Sequence, residues 1–483
     1  MKGILIMGDR RHKSTLFLRK DIRTDIFKKT GLAKSLNAFS LITMGVGAIV
    51  GAGIFITPGI IAAKYTGPGA MLAFVLAAVV CSLAALCYSE FSSTIPLAGS
   101  AYTYIYAVFG EFIAWILGWA LVSEYLFSVS AVAASWSSYF QNILAGFNLY
   151  LPAQLRAAFG TAGQPHAIFD LPAFVIIMIV SLLLIGGIRE SARVNAIMVI
   201  LKIIVIILFI VVGVFYIRPE NYHPFLPHGF KGVVSGAAVA FYAYIGFDAV
   251  STAAEEVKQP QRNVPIGIIG SLLIATALYI ALSAVLVGIV KYTKLNVADP
   301  VAYALHFIHQ DWVSGIVSLG AVIGMTTVLI VFLYGGTRLV FAISRDGLLP
   351  QLFSRLNPKT HAPAVNTWVF GIVGSIFACI IPIDKITELV NIGTLFAFAM
   401  VSIGIVFLRQ NPAFKDLDSA FKVPLYPVLP IVSFILCITL MLELKAFTWI
   451  AFFVWLLIGL CVYFSYGYRH SVVRLRYQKD QPK

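Results

Sequence analysis

Twelve apolar runs, punctuated by breaker-rich connections, constrain this chain more than any other feature. They cover 37–63, 70–92, 111–139, 171–187, 195–217, 233–255, 265–290, 312–337, 365–381, 388–408, 425–442 and 447–468. One bilayer crossing takes about 20 apolar residues as helix. Between the runs stand Gly67-Pro68-Gly69, Pro219 to Pro227, Pro260 to Pro265 and Pro424 to Pro430, which punctuate helices. Composition agrees: 60% of residues are hydrophobic and 12% charged, where soluble domains carry about 25% charged residues. So little charge cannot cover a water-soluble particle of this length, which excludes a cytosolic enzyme, a secreted disulfide scaffold and a disordered chain. The reading is an all-α polytopic membrane protein of 12 transmembrane helices.

Charge placement sets the orientation. If alternate connections are assigned to alternate sides, 26 of the 35 Lys and Arg fall on the side of both termini. Eight fall on the other side, and Lys202 lies inside a run. The positive-inside rule then predicts both termini in the cytoplasm. Ten basic residues crowd the first 36, preceded by no apolar run longer than Ile4–Met7. They predict a basic cytoplasmic arm over 1–36, within reach of anionic lipid headgroups. The net charge of +14 is thus read as membrane-facing, with no nucleic-acid partner. All five cysteines lie inside apolar runs, where they read as small packing residues.

Two runs are interrupted. The first carries Gly45, Gly47, Gly51 and Gly53 within nine positions, and the sixth carries Gly246 beside Asp248 at its middle. Small-residue packing between helices explains Gly47 and Gly51 taken alone. The two sites lie five runs apart, however, so the second enters the membrane from the opposite side. Broken helices at corresponding positions of inverted halves mark a midplane site in secondary transporters. The expected layout is a five-plus-five inverted repeat, 37–217 and 233–408, with discontinuous helices 1 and 6. Two extra helices over 425–468 and a cytoplasmic tail over 469–483 complete it. A broken helix offers amides for a carboxylate and carbonyls for an ammonium. Here the first half should end near Ile49, and Gly51, Ala52 and Gly53 should present amides.

Two ionisable residues lie deep in the runs. Lys202 sits seven residues past Asn195, about 10 Å into the hydrocarbon. Its stem is long enough to snorkel to the interface, and its depth equally suits a functional ammonium. Glu124 lies thirteen residues beyond Glu111, about 20 Å along the third run and too deep to snorkel. It is either a functional acid or a structural hydrogen-bonding one. Glu111 at the helix entry and Asp248 at the break read as structural, the latter as a cap for the second half-helix. His306 to Asp311 reads as an amphipathic connection rather than a metal site. No nucleophile elbow, zinc-protease or nucleotide-binding string occurs, and no cofactor is expected.

Four strings in order carry a family resemblance: Gly51-Ala-Gly-Ile-Phe55; Phe241-Tyr-Ala-Tyr-Ile-Gly-Phe-Asp248 leading to Ser251-Thr-Ala-Ala-Glu-Glu256; Pro260-Gln-Arg-Asn-Val-Pro265; and Ser344-Arg-Asp-Gly-Leu-Leu-Pro350. Over nearly its whole length the chain resembles the amino acid–polyamine–organocation superfamily, and within it the cationic amino acid transporter-like bacterial permeases. The resemblance implies a bundle of spans 1, 2, 6 and 7 rocking against a scaffold of 3, 4, 8 and 9. It implies ammonium-holding carbonyls at Tyr242, Ala243 and Ile245, and a proton-coupling lysine at Lys202 where sodium-driven relatives hold the ion. Thr326 and Thr327 are then partners for that locus. Glu124 matches a position facing the substrate side chain, and Phe332 and Leu333 bound the same pocket. Many bacterial relatives have a hydroxyl residue where this chain has Ala52, so backbone amides alone are left for the carboxylate.

The expected function is proton-coupled symport of L-amino acids by alternating access, small neutral ones such as alanine and possible cationic ones, across the cell membrane. Proton-independent exchange is the alternative within the class. A nutrient sensor on a transporter fold is a second class, and a membrane acyltransferase a third that lacks the polar interfacial clusters it needs.

Overall fold

The computed structural model describes residues 15–20, 36–95, 100–161, 163–185, 192–252, 254, 257–358, 362–414 and 421–479. Most of the basic arm over 1–36, the acids Glu255 and Glu256, and the last four residues of the tail lie outside the described residues. In hydrocarbon each peptide group must find its partner within the chain, and helices do this segment by segment. Among the described residues the only β-type pairing is one isolated bridge between Leu36 and Val257.

The first half contains α1 (Ala38–Ile49), α2 (Ala52–Ile61), α3 (Ala70–Thr94), α4 (Ser100–Phe109), α5 (Glu111–Gly146), α6 (Leu171–Ile185) and α7 (Ala192–Val214). The second contains α8 (Gly229–Ala240), α9 (Ala249–Thr252), α10 (Pro260–Ile289), α11 (Pro300–Phe307), α12 (Asp311–Arg345), α13 (Ala364–Ile380) and α14 (Ile383–Gln410). After them come α15 (Val428–Leu442), α16 (Ala446–Val462), α17 (Tyr468–His470) and α18 (Val472–Lys479). Eight helical segments among the described residues are long and apolar enough to cross a membrane, and four shorter apolar helices of 10–17 residues accompany them. Among the described residues each of the twelve apolar runs overlaps a helix. The connection expected over 93–110 is in part the helix α4, ten residues that carry no charge.

Two long helices form the spine. α5 has 36 residues and α12 has 35, each about 50 Å, and they pack along one another with α14 on the far side of α5. α10 packs against α1 and α3. α16 is stapled to α5 by reciprocal indole bonds: Trp119 Nε1 donates to the Trp455 carbonyl and Trp455 Nε1 to that of Trp119, both at 2.8 Å.

Residues 15–20 and the start of α18 dock on the same joint. Lys20 Nζ lies 2.9 Å from Asp346 Oδ1, and Tyr102 donates to Asp346 Oδ2 at 3.1 Å. Lys20, counted above with the headgroup-facing arm, is therefore engaged by the protein. The amide of Val472, opening α18, donates to the Asp346 carbonyl at 3.1 Å.

Candidate functional site

The two interrupted helices meet at the centre of the molecule. α1 stops at Ile49 because Val50 (φ −78°, ψ 86°) and Gly51 (φ −139°, ψ −134°) leave helical geometry, and α2 restarts at Ala52. No side chain caps that restart, so the first amides of α2, at Ala52 and Gly53, have no partner within the helix. α8 stops at Ala240, tightens into a 3₁₀ turn over Phe241–Tyr244, and swings out at Ile245 (φ −64°, ψ 139°). Gly246 then takes φ +115°, a conformation that suits glycine.

The breaks interlock backbone to backbone. A Cβ on Gly53 would stand 2.5 Å from the Ala243 Cα, and one on Gly246 would stand 3.0 Å from the Ala48 Cβ. Each break thus inserts a glycine against the other's main chain. Tyr279 of α10 closes the junction: its hydroxyl lies 2.9 Å from the Ile49 carbonyl and 2.6 Å from the Ala243 carbonyl. A phenol has one proton, so the two carbonyls share it. Ile49 and Ala243, expected to face an ammonium, are thus brought together and joined by a residue that sequence reasoning passed over. Its only signal was the one tyrosine in the run over 265–290, where a buried phenol needs a partner. The Tyr242 carbonyl receives the Ile245 amide at 3.4 Å.

Lys202 is fully buried on α7 and its Nζ donates to the Gly47 carbonyl at 2.6 Å. The ammonium points into the protein at α1 and does not reach for the interface. Its stem runs alongside Gly324 of α12. Thr327 donates to the Gly324 carbonyl at 2.7 Å, while Thr326 donates to Val322 and accepts from Trp136 Nε1 at 3.0 Å. Both hydroxyls thus serve their own helix, and Thr326 also meets α5 through Trp136.

Glu124 is buried on α5 beside Gly393 of α14, and its Oε2 has no hydrogen-bond partner among the described residues. Asp248 acts on it electrostatically, so the helix-six break and the third-span acid share one polar neighbourhood. The Tyr88 hydroxyl, buried and with no hydrogen-bond partner among the described residues, lies near both acids, and Tyr104 lies near Asp248 and Ser251. Amides of Gly246, Asp248 and Ala249 turn towards the Asp248 carboxylate, as expected of a residue at a helix start. Phe332 packs edge-on against Tyr125 at 6.1 Å, next to Glu124 in the chain, and Leu333 is fully buried.

Outside the membrane segments, Asp299 fixes the connection from α10 to α11. It accepts from Asn142 Nδ2 at 2.8 Å, and burial pushes its carboxyl up to about 6, against the effect of that bond. His306 pairs with Asp311 at 2.6 Å across the turn from α11 to α12. Among the described residues no group of three or more potential ligands could hold a metal.

Residues 36–465 match the amino acid permease family. The chain belongs to that family. It is a permease of the amino acid–polyamine–organocation superfamily, an integral membrane protein and not an enzyme. It is 48% identical to the methylthioribose transporter of Bacillus subtilis (strain 168) over 95% of its own length and 99% of that protein's. Against the branched-chain amino acid permease of the same organism the identity is also 48%, with the same coverage of both chains. A vacuolar cationic amino acid transporter 4 of Arabidopsis thaliana is 38% identical over 79% of this chain and 64% of its own. The permease carries the interlocked breaks inside the residues that match the family, 36–465.

Proposed function

We propose that this permease is a proton-coupled symporter of neutral L-amino acids with small or branched aliphatic side chains. It sits in the cell membrane with both termini cytoplasmic. Its helices form twelve crossings in a five-plus-five inverted repeat, α1–α7 and α8–α14, followed by α15 and α16. The substrate carboxylate takes the amides at Gly51, Ala52 and Gly53. Its ammonium takes over carbonyls at Ile49, Tyr242, Ala243 and Ile245, releasing the Tyr279 hydroxyl. Phe332 and Leu333 bound the side chain and Glu124 lies beyond them.

The observation that carries the reading is the Lys202 ammonium on the Gly47 carbonyl, two residues before the first break. A charge there can sense the geometry of α1 without touching substrate. Protonated, it ties α7 to α1; neutral, it keeps at most a weak donor and the tie loosens. Thr326 and Thr327 lie on the helix along which its stem runs. Proton transfer at Nζ thus biases whether the inner half of helix one is held, which is how a gradient becomes alternating access.

The test is uptake of labelled alanine and leucine into proteoliposomes with an inward proton gradient, with and without sodium. Accumulation driven by protons alone is expected, and Lys202→Ala should abolish it while leaving binding in place. Uptake that requires sodium, or a Lys202→Ala variant that still accumulates, overturns the coupling.

A second reading, a neutral thio-sugar as substrate, is favoured by the equal identity to the methylthioribose transporter. Such a molecule has neither carboxylate nor ammonium and would leave the paired breaks unmatched. Thermal shifts of purified protein against twenty amino acids and methylthioribose separate the two, because bound ligand stabilises by mass action.

A further inference from the structure

We propose that the exposed face at the N-terminal end of α10 is a binding site for one anionic phospholipid, with Arg262 holding its phosphate. The bridge from Leu36 to Val257, with the Lys258 amide donating to the Leu36 carbonyl at 2.9 Å, fixes this end of α10 beside the start of α1. From there a single stripe runs inward along the helix: Arg262, Pro265 and Ile266, Ile269 and Gly270, then Leu273. These positions recur every three to four residues and therefore share one face. With Phe421, from the segment ahead of α15, the stripe encloses a groove of about 410 Å³.

The chemistry of the groove is divided by depth. Its inner part is aliphatic, and Leu273 lies about 16 Å deeper than Arg262 at 1.5 Å per residue. Its mouth is basic: Arg262 lines it, Lys258 stands four residues earlier in the chain and Lys422 follows the lining residue Phe421, and all three are exposed. None of the three joins an ion pair among the described residues. A cationic rim over an apolar trough matches an amphiphile with an anionic head and a hydrocarbon tail. Guanidinium presents a planar fork to phosphate oxygens, which makes Arg262 the selective contact and the lysines its electrostatic surround. A zwitterionic lipid fills the trough equally well but is repelled at its outer ammonium by the same three cations. Because α10 also carries Tyr279, a lipid wedged between α10 and the lead-in to α15 bears directly on the helix that bridges the two breaks.

The experiment uses the full chain in nanodiscs of phosphatidylcholine, with or without phosphatidylglycerol. Lipid retained on the protein is counted by native mass spectrometry, and the thermal midpoint is measured in parallel. One phosphatidylglycerol should be retained in preference to phosphatidylcholine, with a rise in midpoint. Arg262→Gln should lose both, Arg262→Lys should keep part, and Lys291→Gln, a charge-matched change at the opposite end of α10, should change neither. Equal retention of the two lipids, or retention unaltered by Arg262→Gln, overturns the site. A midpoint rise of the same size from inorganic phosphate in phosphatidylcholine discs overturns the lipid as ligand. Retention is independent of transport, so its failure leaves the coupling proposal standing and the reverse also holds.

Discussion

Two acids on one helix have opposite surroundings. Glu111 and Glu124 both lie on α5 and both are buried. Around Glu111, Oε1 accepts from Tyr463 at 2.8 Å and from Arg474 Nη2 at 3.1 Å, and Oε2 accepts from Tyr106 at 3.0 Å and from the Ser471 hydroxyl. Glu124 has Thr394 beside its carboxyl as a hydrogen-bonding side chain, but its buried Oε2 has no partner among the described residues. Burying a carboxyl without partners costs stability. The fold surrounds one acid with four donors and leaves one oxygen of the other open. Glu111 is a fastener. On the function proposed above, Glu124 is the acid held in reserve for the transport cycle.

The largest test of that contrast is Glu111→Ala. It leaves Arg474 buried without its acid, and removing one partner of a buried pair costs about 3–5 kcal/mol. The thermal midpoint in detergent should fall steeply, and Glu111→Gln should fall less because it keeps polar contacts with the three hydroxyls. Glu124→Gln should leave the midpoint unchanged or raise it. A fall for Glu124→Gln as steep as that for Glu111→Ala would erase the distinction between the two.

Next in size is the specificity cycle. Phe332→Ser opens room towards Glu124, where a guanidinium gains a charge-assisted contact. Arginine binding should strengthen in that variant and weaken again when Glu124→Gln is added, with a coupling energy of about 1–3 kcal/mol. The four proteins are compared by competition binding against alanine. If arginine binds the unaltered permease more tightly than alanine, bulk at Phe332 and Leu333 does not set the choice.

Tyr279→Phe comes third. The variant leaves the Ile49 and Ala243 carbonyls without the shared proton, at about 1–2 kcal/mol for such groups when buried. A substrate ammonium supplies the missing donor, so the variant should show a lower midpoint without substrate and a larger substrate-induced shift than the unaltered protein. Equal shifts in both would place the ammonium elsewhere.

Much of this fold was legible in the sequence because the bilayer dictates it. Hydrocarbon thickness sets the length of apolar runs, and backbone breaks at that depth need glycine, so Gly51, Gly53 and Gly246 announced where α1 and α8 stop. Lys202 and Glu124 stood out because charge is rare in such runs. What stayed hidden depends on packing between distant segments. Tyr279 reaches Ile49 across 230 residues, and Arg474 reaches Glu111 across 363. No local pattern encodes which hydroxyl meets which carbonyl. Gly47 rather than a residue of the break itself receives Lys202 because that depends on how α7 tilts against α1. The helix α4 was missed for another reason: it is short and uncharged, and lies between two long runs.

The smallest expected effect concerns the joint to which Glu111 belongs, and it tests how far the fastening extends. Residues 15–20 lie along the start of α5: the Glu111 amide donates to the Leu18 carbonyl at 3.0 Å, and the Phe17 ring meets Phe112 edge-on at 6.2 Å. Lys20 closes the segment on Asp346, yet its side chain keeps 18% of its exposure. A pair this close to water contributes at most about 1 kcal/mol and is screened by salt. Asp346 also keeps the Tyr102 hydroxyl when the lysine is removed. Lys20→Gln should therefore lower the midpoint slightly at low ionic strength and by less at high salt. The buried Arg474 to Glu111 pair sits beyond the reach of mobile ions, so Glu111→Ala should lower it equally under both conditions. Matching salt dependence in the two variants would mean that water enters the joint, and Glu111 would then owe its four partners to a wet surface cluster rather than to a sealed one.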